Sequence, residues 1–258
     1  MLSLGSLIVL AFSVDTIAEK CFYKNAWYNL ANIEVKGAKI LTQEEILALT
    51  KIELGVNLFT VDIAAAEQEL KRIPEISRVR LIRELPDTIR VEIEEREPVA
   101  WIVNANGDAL STPTLLLDAS GIIYLPHRIL PEHFSLPVIS GVRIEDIEKN
   151  DILHTQDLRE ALALLQTVSF TPESSLHIRA MDISKGYCIE VYNDKNARFL
   201  FDIGSYAEQL TRLQKLLDHC NETGRELEMV NLIPKRNTPV RFVMVSPPPR
   251  TATAKNKR

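Results

Sequence analysis

The chain has 258 residues, of which 46% are hydrophobic and 25% are charged, and its formal net charge is −5. This is an ordinary globular composition, long enough for two domains of about 100 residues each, and it argues against a disordered chain. No long basic stripe runs through the body of the sequence, which argues against nucleic acid as a partner, because binding phosphates requires clustered lysine and arginine.

The first segment is apolar over residues 2–14, apart from three serines and one glycine. As a helix this run would span about 20 Å, against about 30 Å for the hydrocarbon core of a bilayer. We interpret residues 1–28 as a transmembrane anchor, cut short in this chain, and a juxtamembrane segment in which Trp27 and Tyr28 suit a membrane interface. A cleaved signal peptide and a buried core helix stay open as alternatives, and for the aromatic pair a contact within the folded domain is equally favoured.

A strand and a capped helix come next. Residues 33–35 are typical of a short strand, and Thr42 with Glu45 fits a capping box, in which each side chain bonds the backbone N–H of the other. We expect Ile46 and Leu49 to face the core from this helix.

A second helix and two strands complete the first domain. Ile63, Ala66, Leu70 and Ile73 recur at helical spacing, and Pro74 ends the run. In the two strands that follow, apolar residues alternate with Arg78 and Arg80 on the first strand and with Arg90, Glu92 and Glu94 on the second, so we predict a solvated face with pairs of opposite charge. The order over residues 32–98 is therefore β-α-α-β-β.

The second domain is predicted over residues 99–246 as a mixed antiparallel, β-rich domain with helices on one side. One helix carries Leu158, Leu162 and Leu165, and a second is predicted to start at a capping box of Ser205 and Glu208 and to end at Gly224. Strand-like runs cover residues 99–103, 115–118, 122–125, 136–141, 176–183, 187–192, 198–203, 227–233 and 240–245. We expect residues 247–258 to form a disordered basic tail. The fold class is α+β.

Side chains suited to catalysis are scattered. The five histidines have no metal-ligand spacing, and neither a nucleophile elbow nor a glycine-rich phosphate loop is present. His177 with Asp182 and Ser184 is better explained by alternation along a strand than by a triad. We therefore expect no enzyme, no cofactor, no metal and no small-molecule substrate.

The three cysteines, Cys21, Cys188 and Cys220, give neither a zinc motif nor a disulfide framework. Cys188 and Cys220 could pair in an oxidising compartment, but two separate buried thiols are the favoured interpretation.

The last predicted strand offers a binding surface. A strand at the edge of an antiparallel sheet exposes backbone donors and acceptors to which a partner strand can add. We predict that a partner strand adds to the strand at residues 240–245. The alternative is that this strand is fully paired and Phe242 is merely buried. The candidate residues are Arg236, Val240, Arg241, Phe242, Val243 and Met244.

Five segments of the first domain resemble a POTRA domain. They are an opening strand at residues 33–37 (IEVKG), a helix entry at 57–62 (NLFTVD), a hairpin at 73–76 (IPEI) and 85–89 (LPDTI), and an exit at 95–100 (EREPVA).

Segments of the second domain narrow this resemblance to the FtsQ/DivIB family of bacterial cell division proteins. They are residues 117–124 (LDASGIIY), 136–141 (LPVISG), a helix over 203–217, and a closing hairpin at 230–232 (VNL) and 238–242 (TPVRF). The chain departs from the family pattern at Asn231, where aspartate is usual, and at Ile233 and Pro234, where arginine and an aromatic residue are common.

The resemblance implies a non-enzymatic scaffold of the inner membrane, single-pass, with its bulk in the periplasm and concentrated at the division septum. It implies FtsB-like and FtsL-like partners, received on the terminal strand and the helix before it. The alternative is a POTRA-bearing component of protein export or outer-membrane assembly, which would require several POTRA repeats or a barrel of many strands.

Overall fold

A computed structural model describes residues 19–104, 115–142, 155–171 and 175–244. These residues form two compact units. The first reaches Pro98 and includes Tyr124–His133, and the second contains Val99–Ile123 and the residues from Phe134 onward. The predicted apolar run at 2–14 and the predicted tail at 247–258 lie outside the described ranges. Within those ranges, no helix combines the length and the apolar character needed to cross a membrane.

The first unit has the predicted β-α-α-β-β order. Strand β3 is central in its three-stranded sheet, parallel to β1 and antiparallel to β2. Its elements are β1 (Asn32–Lys36), α1 (Gln43–Thr50), α2 (Ile63–Lys71), β2 (Ile76–Glu84) and β3 (Thr88–Glu95).

The predicted capping box of α1 is present. Glu45 N donates to Thr42 Oγ1 at 3.2 Å, and Thr42 N donates to Glu45 Oε2 at 2.8 Å. Ile46 is buried as expected, but the prediction for Leu49 is wrong, since its side chain is 41% exposed. The helix ends one residue after Thr50 in a left-handed turn, and the chain then brings Ile52 into the core instead.

The hairpin of β2 and β3 has the predicted solvated face. Arg78 lies opposite Glu94, with Nη1 at 3.3 Å from Oε2 and both side chains exposed. The other face carries the buried side chains of the unit's core, including Val79, Leu81, Ile89, Val91 and Ile93.

One segment of the first unit comes from later in the chain. Residues 99–246 are predicted from the sequence to form one domain, but Tyr124–His133 belongs to the first unit. Arg128 holds it there, because its guanidinium donates to the carbonyl oxygen of Ile40 at 2.8 Å and to Glu45 Oε1 at 3.0 Å. The buried carboxylate of Glu75 accepts a backbone N–H from the same segment.

The second unit is built on a nine-stranded mixed sheet with the order β12-β11-β10-β9-β8-β7-β4-β5-β6. Its β4–β7, β7–β8 and β10–β11 pairs are parallel, while β8–β9, β9–β10 and β11–β12 are antiparallel. The strands are β4 (Pro98–Asn104), β5 (Leu115–Asp118), β6 (Ile123–Tyr124), β7 (Val138–Val142), β8 (Ala180–Asp182), β9 (Cys188–Tyr192), β10 (Arg198–Asp202), β11 (Leu227–Asn231) and β12 (Val240–Phe242).

Two helices, α3 (Gln156–Ser169) and α4 (Tyr206–Thr223), share one hydrophobic core with this sheet. The strands contribute alternate residues to that core, such as Ile189 and Val191 of β9. Alternation turns their neighbours, such as Glu190, to the opposite face of the sheet.

The start of α4 differs from the prediction. Ser205 has a φ of 50° and its side chain makes no capping bond, so the predicted capping box with Glu208 is wrong. The buried Gln209 stabilises the turn instead, because its Oε1 accepts from Asp202 N at 2.8 Å and its Nε2 donates to Gly204 O at 2.7 Å. The helix ends at Gly224 in the left-handed conformation, as predicted.

Candidate partner-binding edge

Strand β12 is the last strand at one end of the large sheet. It pairs with β11 alone, antiparallel, with Val230 opposite Val240 and Leu227 opposite Phe242. The pairing continues past the strand, since Val243 N donates to the carbonyl oxygen of Glu226 at 2.9 Å. Among the described residues, the other side of β12 borders no further strand.

The direction of the backbone groups follows from this pairing. Pro239 O accepts from Asn231 N at 2.9 Å, and Val243 N points to the same side, towards the carbonyl oxygen of Glu226. In an antiparallel ladder, successive residues direct their N–H and C=O groups to opposite sides. Residues 239, 241 and 243 therefore bond to β11, and residues 240, 242 and 244 present theirs to the open edge.

The side chains of the edge divide into two groups. Val240 and Phe242 are half-buried and pack against the core of the second unit, and the guanidinium of Arg225 lies 5.4 Å from the centre of the Phe242 ring. Val243 is exposed and Met244 is 92% exposed. Met244 is therefore free to enter a pocket of a partner, whereas Phe242 is turned towards the protein itself.

The two predicted arginines lie on the surface. Arg241 forms an exposed ion pair with Glu228 on β11, with Nη1 at 3.3 Å from Oε1. Arg236 is exposed in the loop between β11 and β12. A second exposed pair lies beside this edge, where Lys195 Nζ is 2.8 Å from Glu226 Oε1, and the hydrogen bond from Lys195 lowers the pKa of Glu226.

A residue of α4 holds the loop that leads into β12. Arg212 donates from Nη2 to the carbonyl oxygen of Leu232 at 2.7 Å and from Nη1 to that of Pro234 at 2.6 Å. Asn231 also supports the loop, because its Oδ1 accepts from Ile233 N at 3.1 Å. An aspartate side chain could accept the same bond, so the departure from the family pattern at Asn231 leaves the turn intact. No local sequence pattern predicts the role of Arg212, since its partners lie 20 residues or more away along the chain.

In the described part of the chain, the other side chains suited to catalysis or metal binding do not converge. Asp182 accepts from Ser184 N at 2.9 Å, which is a turn contact within the loop after β8. Cys188 and Cys220 are buried free thiols, and burial raises the pKa of each above its ordinary value. In the ranges that the structure covers, histidine, cysteine and acidic side chains form no group of three or more that could hold a metal ion.

Comparison with known proteins identifies the family to which this chain belongs. Residues 28–96 match the domain family described as "POTRA domain, FtsQ-type". The chain is 30% identical to the cell division protein FtsQ of Corynebacterium glutamicum over 155 residues, which cover 54% of this chain and 69% of that protein. The chain belongs to the FtsQ family.

Two further FtsQ proteins align over more of the chain. That of Geotalea daltonii is 26% identical over 208 residues, covering 80% of this chain and 73% of the relative. That of Anaeromyxobacter sp. (strain K) is 26% identical over 239 residues, covering 91% and 78%. These matches confirm the resemblance to FtsQ, and they do not favour the alternative of an export or outer-membrane assembly component.

Proposed function

We propose that this FtsQ-family protein is a non-enzymatic scaffold of the division machinery. In this proposal the N-terminal segment anchors it in the inner membrane as a single pass, and its bulk lies in the periplasm at the septum. It recruits and links FtsB-like and FtsL-like proteins by accepting a partner strand on β12. Family membership supports the cell-division role, and the open edge of β12 is the observation that carries the mode of binding.

The geometry of the edge suits strand addition. The backbone groups of Val240, Phe242 and Met244 face the open side, so a partner strand would extend the sheet through main-chain bonds. Main-chain bonds give affinity without sequence specificity, and specificity requires side-chain contacts. Met244 and Val243 provide exposed apolar surface for these contacts, and Arg236 and Arg241 favour acidic side chains on the partner.

A substitution that removes one outward backbone donor tests this mode of binding. Proline at position 244 has no N–H to offer a partner strand, whereas the inward bond of Val243 is kept. We expect Met244→Pro to weaken binding of the host's FtsB-like protein by about 2- to 13-fold, as for one net hydrogen bond of about 0.5–1.5 kcal/mol. Titration calorimetry of the full chain in detergent measures this change.

The matched control is Met244→Leu, which keeps the backbone donor and the apolar side chain and should bind as the natural protein does. Thermal unfolding of both variants should match that of the natural protein, since Met244 is 92% exposed. Equal affinity of Met244→Pro and Met244→Leu would show that the partner does not pair with this edge.

The cellular role has its own test. A tagged copy that carries any upstream in-frame codons should localise to midcell, and depletion in the host should give filaments. Uniform envelope signal with normal septation, together with defective outer-membrane protein assembly, would contradict the division role.

A further inference from the structure

A cluster of aromatic rings lies where the chain enters the first unit. Phe59, in a 3₁₀ helix at Leu58–Thr60, is its centre. The ring centres of Tyr28, Phe22 and Tyr23 lie 5.2, 5.5 and 6.0 Å from that of Phe59. Such distances and edge-to-face or tilted arrangements are favourable for aromatic pairs.

A side-chain amide fixes this entry segment to the first unit. Asn57 Nδ2 donates to the carbonyl oxygen of Phe22 at 2.8 Å and to that of Asn25 at 3.4 Å. Its Oδ1 accepts from Phe59 N at 3.0 Å, so one side chain caps the 3₁₀ helix and holds the incoming chain. The segment before β1 is therefore docked on the first unit rather than a free linker.

Three loops meet at this end of the unit. Leu30 exchanges backbone hydrogen bonds with Gly55 and Val56, and Ala31 N donates to the carbonyl oxygen of Asp87 at 2.8 Å. Each of the three segments carries large apolar side chains that are exposed. These residues, which we call the aromatic patch, are Phe22, Tyr23, Trp27, Leu54 and Leu85.

We propose that the aromatic patch docks the first unit on the surface of the lipid bilayer, with the rings of Trp27, Phe22 and Tyr23 in the headgroup region. This inference rests on the membrane anchor of the proposed function. The apolar run at residues 2–14 ends eight residues before Phe22, so the patch emerges where the chain would leave the bilayer. Tryptophan and tyrosine favour this interface, because their rings have an apolar body and a polar tip.

The exposure of the aromatic patch indicates that another surface covers it. Trp27 is 71% exposed, and Leu54 and Leu85 are exposed by more than half. Clustered apolar side chains of this size usually mark a binding or membrane surface rather than a solvated one. Because the aromatic cluster and Asn57 hold the entry segment rigidly, contact of the patch with lipid would set the orientation of the whole first unit on the membrane.

Intrinsic fluorescence of the full chain in lipid nanodiscs tests this proposal. The sequence has two tryptophans, and Trp101 is 6% exposed whereas Trp27 is 71% exposed. The difference between the spectra of the natural protein and Trp27→Phe isolates the emission of Trp27 without altering a buried residue. The nanodiscs contain phosphatidylcholine and phosphatidylglycerol, with a nitroxide quencher either on the headgroup or at the end of the acyl chain.

We expect Trp27 emission to move to shorter wavelength in the discs, with strong quenching by the headgroup label and weaker quenching by the chain-end label. Emission at the wavelength of solvated tryptophan, without quenching, in chains that co-elute with the discs would overturn the docking and leave the anchor standing. A shift to shorter wavelength without quenching by either label would place a second copy of the chain on the patch and also contradict the proposal. Failure to co-elute would contradict the anchor itself, and the docking with it.

Discussion

At the scale of single residues, Arg212 links α4 to the binding edge. Its guanidinium bonds three carbonyl oxygens of the loop before β12, those of Leu232, Pro234 and Lys235, at 2.7, 2.6 and 3.5 Å. Among the described residues, Arg212 is the side chain of α4 that bonds to this loop, so the position of the proposed edge depends strongly on it.

We predict that Arg212→Met lowers the free energy of unfolding by about 1.5–3 kcal/mol, as for hydrogen bonds from a charged group. It should also weaken partner binding, because the loop leading into β12 loses its support. Denaturant unfolding and calorimetric titration measure the two effects. Lys215→Met is the control, since Lys215 is exposed on the same helix. Equal stability of the two variants would contradict the role of Arg212.

A buried carboxylate on the opposite face of the sheet makes a second residue-scale case. Glu190 is 3% exposed, accepts from Tyr192 OH at 2.9 Å and from Lys185 Nζ, and lies 3.7 Å from Arg198 Nε. Burial by itself would raise the pKa of Glu190, but the bonds from Lys185 and Tyr192 and the charge of Arg198 outweigh it and lower the pKa.

We predict that Glu190→Gln costs about 1–2 kcal/mol of stability at neutral pH, the lower part of the range for charged hydrogen bonds, because water screens the partly exposed Lys185 and Arg198. Because the pKa of Glu190 is lowered in the folded state, its carboxylate stabilises the fold above the unfolded-state pKa of about 4.3. This stabilisation is lost as the pH falls through the folded-state pKa. Unfolding free energies measured from pH 7 to pH 3 should therefore converge for the two proteins at acid pH. Glu226→Gln, at an exposed pair, is the control and should change little. A constant difference at every pH would refute this account.

At the scale of elements, a side chain bonds one backbone donor on the outer side of β2, an edge strand of the small sheet. Glu67 of α2 accepts from Leu81 N on the outer side of β2 at 2.8 Å. Strand β2 ends the order β1-β3-β2, and an edge of nine residues would otherwise invite pairing with another chain.

We expect Glu67→Ala to expose this donor and to increase self-association of the full chain in detergent, with a loss of stability of about 0.5–1.5 kcal/mol. Sedimentation velocity over a range of protein concentrations measures the association. Glu69→Ala is the matched control, because Glu69 lies on the same helix and bonds to Arg72 rather than to a strand. If both variants sediment alike, Glu67 does not protect the edge.

At the scale of the molecule, the described residues form two separate hydrophobic cores, one in each unit, with no residue in common. The core of the first is centred on α1, α2 and their sheet, and that of the second on α3, α4 and the larger sheet. Because the cores are separate, we predict that a substitution in the core of one unit destabilises that unit first.

Leu70, fully buried in the first core, provides the test. We expect Leu70→Ala to cost about 2–5 kcal/mol and to accelerate hydrogen exchange at the amides of β1 and β3. Amides of β9 and β10 should exchange at their natural rates. Gln68→Ala, an exposed position on α2, should leave both units unchanged. Equal acceleration in both units would show that the chain unfolds as one cooperative body.

The sequence by itself determined what depends on short-range chemistry. The capping box of Thr42 and Glu45 was predictable because its partners are three residues apart, and the alternation of β2 and β3 revealed their buried and solvated faces. The order of elements and the linked motifs were also sufficient to recognise the FtsQ family, which the comparisons then confirmed.

Only the tertiary structure decided contacts that depend on how side chains are buried or on pairing between distant segments. The motif of Ser205 and Glu208 has the spacing of a capping box, but Gln209 bonds the turn from inside the core and replaces it. Arg128 joins its segment to the first unit through Ile40, 88 residues away. The backbone direction along β12, and hence which groups face a partner, follows from its pairing with β11. Such contacts form when burial brings polar groups together, and no local sequence motif encodes them.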